Sequence, residues 1–172
     1  NGAYGDVYCA NWKNKGCFAL KSFKNHQEVI NEIVKEFKLH RNVNYHENII
    51  RLFGIAMEEP NVYSLVLEYA DNDTLKGYLN KHFSELNWND KFRLAFQLSS
   101  AVECLYDENI IHRDLQSLVY QGKLQKASIP YVDPKLLNDK CYTLNKKSDV
   151  YSVGVLLWQL SSGRSPFYDD AN

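Results

Sequence analysis

The order of apolar patterns along the chain predicts an α+β fold made of two lobes. Short runs rich in β-branched and aromatic residues dominate as far as Tyr69. Helical periodicity dominates beyond Asp71-Asn72-Asp73, and no repeat or low-complexity linker separates the two regimes.

The first lobe opens with a predicted β-hairpin from Val7 to Phe23. Its arms are Val7-Tyr8-Cys9-Ala10-Asn11-Trp12 and Cys17-Phe18-Ala19-Leu20-Lys21-Ser22-Phe23, and Asn14-Lys15-Gly16 supplies turn chemistry. A helix follows: Asn25 and Glu28 resemble a capping signal, and Ile30, Ile33, Val34 and Phe37 repeat at i, i+3, i+4, i+7. His46-Glu47-Asn48 breaks it, and two apolar runs, Ile49 to Ile55 and Val62 to Tyr69, read as strands. In the second lobe a short helix starts at Thr74. A longer one runs from about Asn89 to Tyr106 with Leu94, Ala95, Leu98, Ala101, Val102 and Leu105 on one face. Residues 115–147 show no clear period. Ser148 to Ser162 is apolar nearly all round, which predicts a helix inside the protein.

Composition narrows the function classes. At 172 residues the chain can build one sizeable core or two small lobes. With 45% hydrophobic and 24% charged residues it is ordinary globular material. A net charge of −1 and scattered Lys and Arg exclude the basic stripe of a nucleic-acid binder. Cys9, Cys17, Cys104 and Cys141 form no CxxC pair, so free thiols in a reducing compartment are expected rather than zinc or a disulfide framework. The most apolar stretch, Val150 to Leu160, is about half a membrane span. The chain starts at Asn1 without a signal peptide, and a cytoplasmic location is the expectation.

Three features carry chemistry. Gly2-Ala3-Tyr4-Gly5-Asp6-Val7 precedes the first strand, and paired glycines let backbone N–H groups approach phosphate oxygens. A Rossmann loop follows its strand; this one opens a hairpin instead. Lys21 ends Phe18-Ala19-Leu20-Lys21. A strand lysine ordinarily points to solvent, but Glu36 borders the apolar face of the next helix and could hold it, with Glu32 as the rival. An ammonium fixed by a carboxylate can bind nucleotide phosphates. Finally, His112-Arg113-Asp114 follows Ile110-Ile111 after the long helix. The Asp114 carboxylate suits orientation of a substrate hydroxyl, while His112 reads as a packed core histidine.

In this order, Gly-x-x-Gly-x-Val, Ala19-Leu20-Lys21, a helix glutamate, His46-Glu47-Asn48-Ile49, Leu67-Glu68-Tyr69-Ala70 and His112-Arg113-Asp114-Leu115 resemble a eukaryotic protein kinase domain. Pro130-Tyr131-Val132-Asp133-Pro134 and Ser148-Asp149-Val150-Tyr151-Ser152-Val153-Gly154 continue the order, in wording similar to the tyrosine-kinase-like branch. The resemblance implies a bilobal fold, with residues 1–68 as the small lobe and 69–172 as the helical lobe. It implies ATP, magnesium and a protein substrate or partner. Gly2 and Gly5 would cradle phosphates, Val7 and Ala19 would cover adenine, and Lys21 would pair with Glu36. Leu67 would be the gatekeeper, with the backbone of Glu68 and Ala70 meeting adenine. Asp114 would be the catalytic aspartate, facing Lys21 across the nucleotide, and Asp149 would anchor the catalytic loop.

The sequence also departs from that pattern. Val119 stands where the family places asparagine, and no Asp-Phe-Gly follows. Between Asp114 and Asp133 the chain reads LQSLVYQGKLQKASIPYV, without one carboxylate. The span reads as a deletion of the metal loop and most of the activation segment, in a domain cut short at both ends. Asp133, followed by proline, is a poor substitute ligand. Gln116 stands where Ser/Thr kinases carry a lysine, so a preference for Ser/Thr or Tyr hydroxyls is not legible, and Lys135 replaces the glutamate that follows the proline in the family. Two functions follow as expectations: an ATP-dependent protein kinase whose activity is lost or very weak, or a non-catalytic kinase-like module that binds nucleotide or scaffolds partners. An unrelated α+β domain with chance motifs is the third reading.

Overall fold

The computed structural model describes residues 6–12, 16–23, 27–59, 62–70, 75–112, 129–139 and 141–167. They fall into two compact units, one reaching Ala70 and the other starting at Leu75.

The first unit is a four-stranded antiparallel sheet with one helix. Strands β1 (Asp6–Asn11), β2 (Cys17–Phe23), β3 (Leu52–Glu59) and β4 (Val62–Glu68) lie in the order β1-β2-β4-β3. Gly16, at φ +91, turns the chain into β2 in a backbone region that favours glycine. Helix α1 spans Gln27–Val43. Phe23, Ile33, Leu52 and Leu65 form the core, with Phe37, Tyr63 and Leu67 packed against it. The apolar stripe on α1 is narrower than its sequence period: Ile33 is buried, whereas Ile30 and Val34 are exposed.

Strand β3 starts at Leu52 rather than Ile49, because polar bonds claim the apolar residues before it. The Ile49 N–H donates to the His46 carbonyl, and His40 Nε2–H donates to the Ile50 carbonyl. Asn44 then grips Leu52 at both backbone groups: its Oδ1 accepts from Leu52 N at 2.6 Å and its Nδ2 donates to Leu52 O at 3.0 Å. A single side chain thus covers part of the sheet edge, where unpaired N–H and C=O groups would otherwise remain.

In the second unit α2 spans Leu75–His82 and a 3-10 turn covers Phe83–Glu85. Helix α3 spans Trp88–Asp107, begun by an Asn87/Asp90 capping box. A 3-10 turn at Ile129–Tyr131 leads to α4 (Pro134–Asn138), and α5 spans Lys146–Ser162. Helices α3 and α5 pack together, with Ala101, Val102, Cys104 and Leu105 buried on α3. Short α4 carries no apolar period of its own, although Asp133-Pro134 is a start signal: Asp133 caps the helix and Pro134 occupies its first turn.

Helix α5 is buried on one side and exposes part of its apolar surface. Its buried positions are Ser148, Asp149, Ser152, Leu156, Gln159 and Leu160, while Val150 and Trp158 are exposed. Two of the polar members are satisfied by Tyr131, a residue well before the helix. Ser152 Oγ donates to the Tyr131 carbonyl at 2.7 Å, and Tyr131 OH donates to Gln159 Oε1 at 2.8 Å. Among the described residues no buried side-chain nitrogen or oxygen lacks a partner. No helix among them is long and apolar enough to cross a membrane.

Candidate functional site

In the first unit the strand register gathers several of the expected nucleotide residues on one sheet face. Val7 lies opposite Lys21, which lies opposite Leu65; on the next rung Cys9 faces Ala19, which faces Leu67. Directly paired residues project to the same side, and side chains alternate along a strand, so these six share a face. Phe23 and Leu65 belong to the core with Ile33 of α1, which makes this the helix-covered face.

On that face Lys21 Nζ donates to Glu36 Oε1 at 2.6 Å. Glu36 reaches the lysine because it lies three residues after buried Ile33 and one before Phe37. The side chain of the rival Glu32 lies outside the described residues. Side-chain exposures of 21% for Lys21 and 37% for Glu36 leave the pair partly solvated, worth about 0.2–1 kcal/mol to stability. Lys21 Nζ also sits 5.3 Å from the centre of the Phe23 ring. An ammonium carries three donors, so one carboxylate oxygen does not exhaust it. The geometry therefore holds a cation at a fixed point on this face.

The remaining expected residues divide. Ala19 is buried and Val7 and Leu67 half-buried. The N–H of Glu68 donates to the Arg51 carbonyl at 2.8 Å, and Glu68 Oε2 accepts from Arg51 N at 3.1 Å. Ala70 lies two residues beyond β4. Gly2, Gly5 and Asp114 lie outside the described residues.

In the second unit the His112 N–H donates to Asp149 Oδ2 at 2.8 Å, and Asp149 is only 1% exposed. The sequence reading assigned Asp149 this anchoring task and gave His112 no chemistry. Beside this bond lies a clasp that sequence reasoning missed. Tyr106 OH donates to the Lys146 carbonyl at 2.6 Å, and Lys146 Nζ donates to the Tyr106 carbonyl at 2.8 Å. Burial, and then the Asp149 charge, push the Tyr106 phenol above its ordinary value, so it remains a donor. A tyrosine and a lysine forty residues apart carry no local signal that would pair them.

Asp133 is occupied structurally. Its Oδ1 accepts from Lys135 N at 3.0 Å and its Oδ2 from Tyr142 OH at 2.8 Å. Burial pushes its carboxyl upward, but those bonds and the Lys135 charge outweigh burial and hold it below the ordinary value. Among the described residues no three His, Cys, Asp or Glu gather where they could hold a metal ion.

Comparison with known proteins gives a match to the protein kinase domain family over residues 1–118. The LEAF RUST 10 disease-resistance locus receptor-like protein kinase-like 1.4 of Arabidopsis thaliana is 30% identical over 199 residues, covering 95% of this chain and 29% of that protein. Tyrosine-protein kinase ABL2 of Mus musculus is 30% identical over 194 residues, covering 96% of this chain and 16% of its own length. Serine/threonine/tyrosine-protein kinase HT1 of Arabidopsis thaliana is 30% identical over 147 residues, 72% of this chain and 37% of the relative. The chain thus spans well under half the length of these curated relatives. A match over 199 residues exceeds the 172 residues of this chain, so that relative carries residues with no counterpart here.

Proposed function

Because this chain belongs to the protein kinase domain family, we propose that it binds ATP on the helix-covered face of its small sheet and transfers phosphate to protein hydroxyls very slowly or not at all. The observation that carries the binding half is the Lys21–Glu36 pair at 2.6 Å. It offers a positioned ammonium to phosphates, on the face that Val7, Ala19 and Leu67 share. Glu68 would meet adenine through its carbonyl, since its N–H already serves Arg51. Asp114 would be the residue that orients an acceptor hydroxyl. The bond from Asp149 to the backbone of His112, two residues earlier, supports a fixed start for that segment.

The weak-transfer half rests on the donors the sequence lacks. Magnesium is a hard cation bound through carboxylates and phosphate oxygens. Val119 replaces the expected asparagine, no carboxylate occurs from Leu115 to Val132, and the oxygens of Asp133 are engaged. Metal stabilisation of a phosphoryl transition state is worth several kcal/mol, and each ~1.4 kcal/mol lost is a factor of ten in rate. The family's enzymatic activity and a nucleotide-binding or scaffolding role therefore separate on one measurement. The cytoplasmic setting is part of the same proposal, consistent with four free cysteines.

The test incubates the chain with labelled ATP, magnesium and a general acceptor protein. Little or no incorporation is expected, together with thermal stabilisation by ATP that does not require magnesium. Robust incorporation that disappears in Asp114→Asn would overturn the weak-transfer reading. Absence of any ATP-dependent stabilisation would overturn the binding reading.

A further inference from the structure

Two of the four cysteines are brought together by the β1–β2 register, and the nucleotide reading does not use them. Cys9 lies opposite Ala19, and Cys17 lies opposite Asn11. Cys17 is therefore two residues from the direct partner of Cys9, on the same sheet face. The Cys17 thiol donates to Asn11 Oδ1 at 3.1 Å, and Cys17 is the neighbour that most perturbs the Cys9 thiol. Cys9 is exposed and Cys17 partly so, whereas Cys104 is buried and Cys141 is exposed in the other unit.

From this juxtaposition we infer that Cys9 and Cys17 form a reversible disulfide across the hairpin when the protein meets a peroxide. The balance is simple. One thiol loses its proton and attacks the peroxide as thiolate; the O–O bond breaks, the departing hydroxide takes up that proton as water, and a sulfenic acid remains. The second thiol then attacks that sulfur and expels a second water as the S–S bond forms. Two thiols lose two protons and two electrons in total, and the peroxide takes up both. A dithiol reductant reverses the step by exchange.

Geometry indicates a labile bond rather than a structural one. Diagonal neighbours on adjacent strands sit about 7–8 Å apart at Cα. Relaxed disulfides span about 4.4–6.8 Å, so closure draws the strands together and stores strain. Strained, accessible disulfides have the more oxidising potentials and are the easily reduced ones. Cys17 beside it holds the Cys9 thiol above its ordinary value.

The experiment treats the full chain with a small molar excess of hydrogen peroxide, traps remaining thiols with iodoacetamide, and maps peptides by mass. Expected are the loss of two hydrogens, loss of two alkylatable thiols, and a Cys9–Cys17 linked peptide that dithiothreitol removes. Cys104 and Cys141 should keep their thiols. Cys9→Ser and Cys17→Ser should each abolish the linked peptide while keeping the fold, judged by an unchanged melting profile before oxidation. Alkylation of both Cys9 and Cys17 after peroxide, a link involving Cys141, or only intermolecular links would overturn the inference. None of these readouts depends on nucleotide binding, so this inference and the proposed function stand or fall separately.

Discussion

Replacing Lys21 by methionine separates the structural and the binding roles of the ammonium by magnitude. The substitution keeps an unbranched apolar stem and removes the charge. Its structural cost is the partly exposed pair with Glu36, about 0.2–1 kcal/mol, with up to about 1 kcal/mol from the Phe23 ring. At about 2–4 °C per kcal/mol for a chain of this size, Lys21→Met should melt only a few degrees lower. Binding is affected more. At an ATP concentration one hundred times Kd, the wild-type chain gains about 2.7 kcal/mol. Loss of a charged hydrogen bond worth about 1.5–3 kcal/mol weakens affinity about 10- to 150-fold. At the same ATP concentration the gain then shrinks to about 0.3–1.3 kcal/mol. Differential scanning fluorimetry with ATP and with adenosine reads both quantities. The ATP shift should fall to half or less, the adenosine shift should be unchanged, and Glu36→Gln should lie between. A full ATP shift in folded Lys21→Met would refute the assignment of this ammonium to phosphate.

Three further outcomes follow from the second unit. Asp149→Ala removes the acceptor of the His112 N–H and should cost about 2–3 kcal/mol, with faster amide exchange at His112; unchanged exchange would mean the bond is not what holds that segment. Gly163, at φ +72, has the Phe83 ring 2.6 Å from where a Cβ would sit. Gly163→Ala should therefore cost about 1–3 kcal/mol. Phe83→Ala in the same chain should relieve part of that penalty, and strict additivity of the two changes would contradict the packing account. For Asp133 the folded carboxyl lies below its ordinary value of 3.8, so the unfolded chain takes up the proton first as pH falls. Its stabilisation is complete above 3.8 and is lost as pH drops through the folded value. Asp133→Asn should flatten that acid limb of the melting curve.

What could be read in advance follows the range of the forces involved. The hairpin, the long helix α3 and α5 carry local periodicity or turn chemistry, and they appear within a few residues of expectation. The Lys21–Glu36 pair was legible because Glu36 borders the apolar stripe of the helix that follows the Lys21 strand. The start of β3 was not, because His40, Asn44 and His46 bind the backbone of the segment before it, and no apolar count registers such bonds. Its far end extends through Glu59 because β4 pairs with it there, an instance of pairing overriding propensity. The Tyr106–Lys146 clasp and the Tyr131–Gln159 bond join residues whose separation carries no pattern.

Helix α5 has a consequence for how this fold tolerates change. Ser148 bonds Tyr142, Asp149 accepts from His112, and Ser152 and Gln159 both bond Tyr131, so the helix dictates its neighbours' positions through its rotational phase. One residue inserted between Val150 and Tyr151 would turn everything after it by about 100°. Ser152 and Gln159 would then point away from Tyr131 together, while Asp149 kept its place. Substitutions along α5 should thus be graded in effect, and insertions or deletions abrupt.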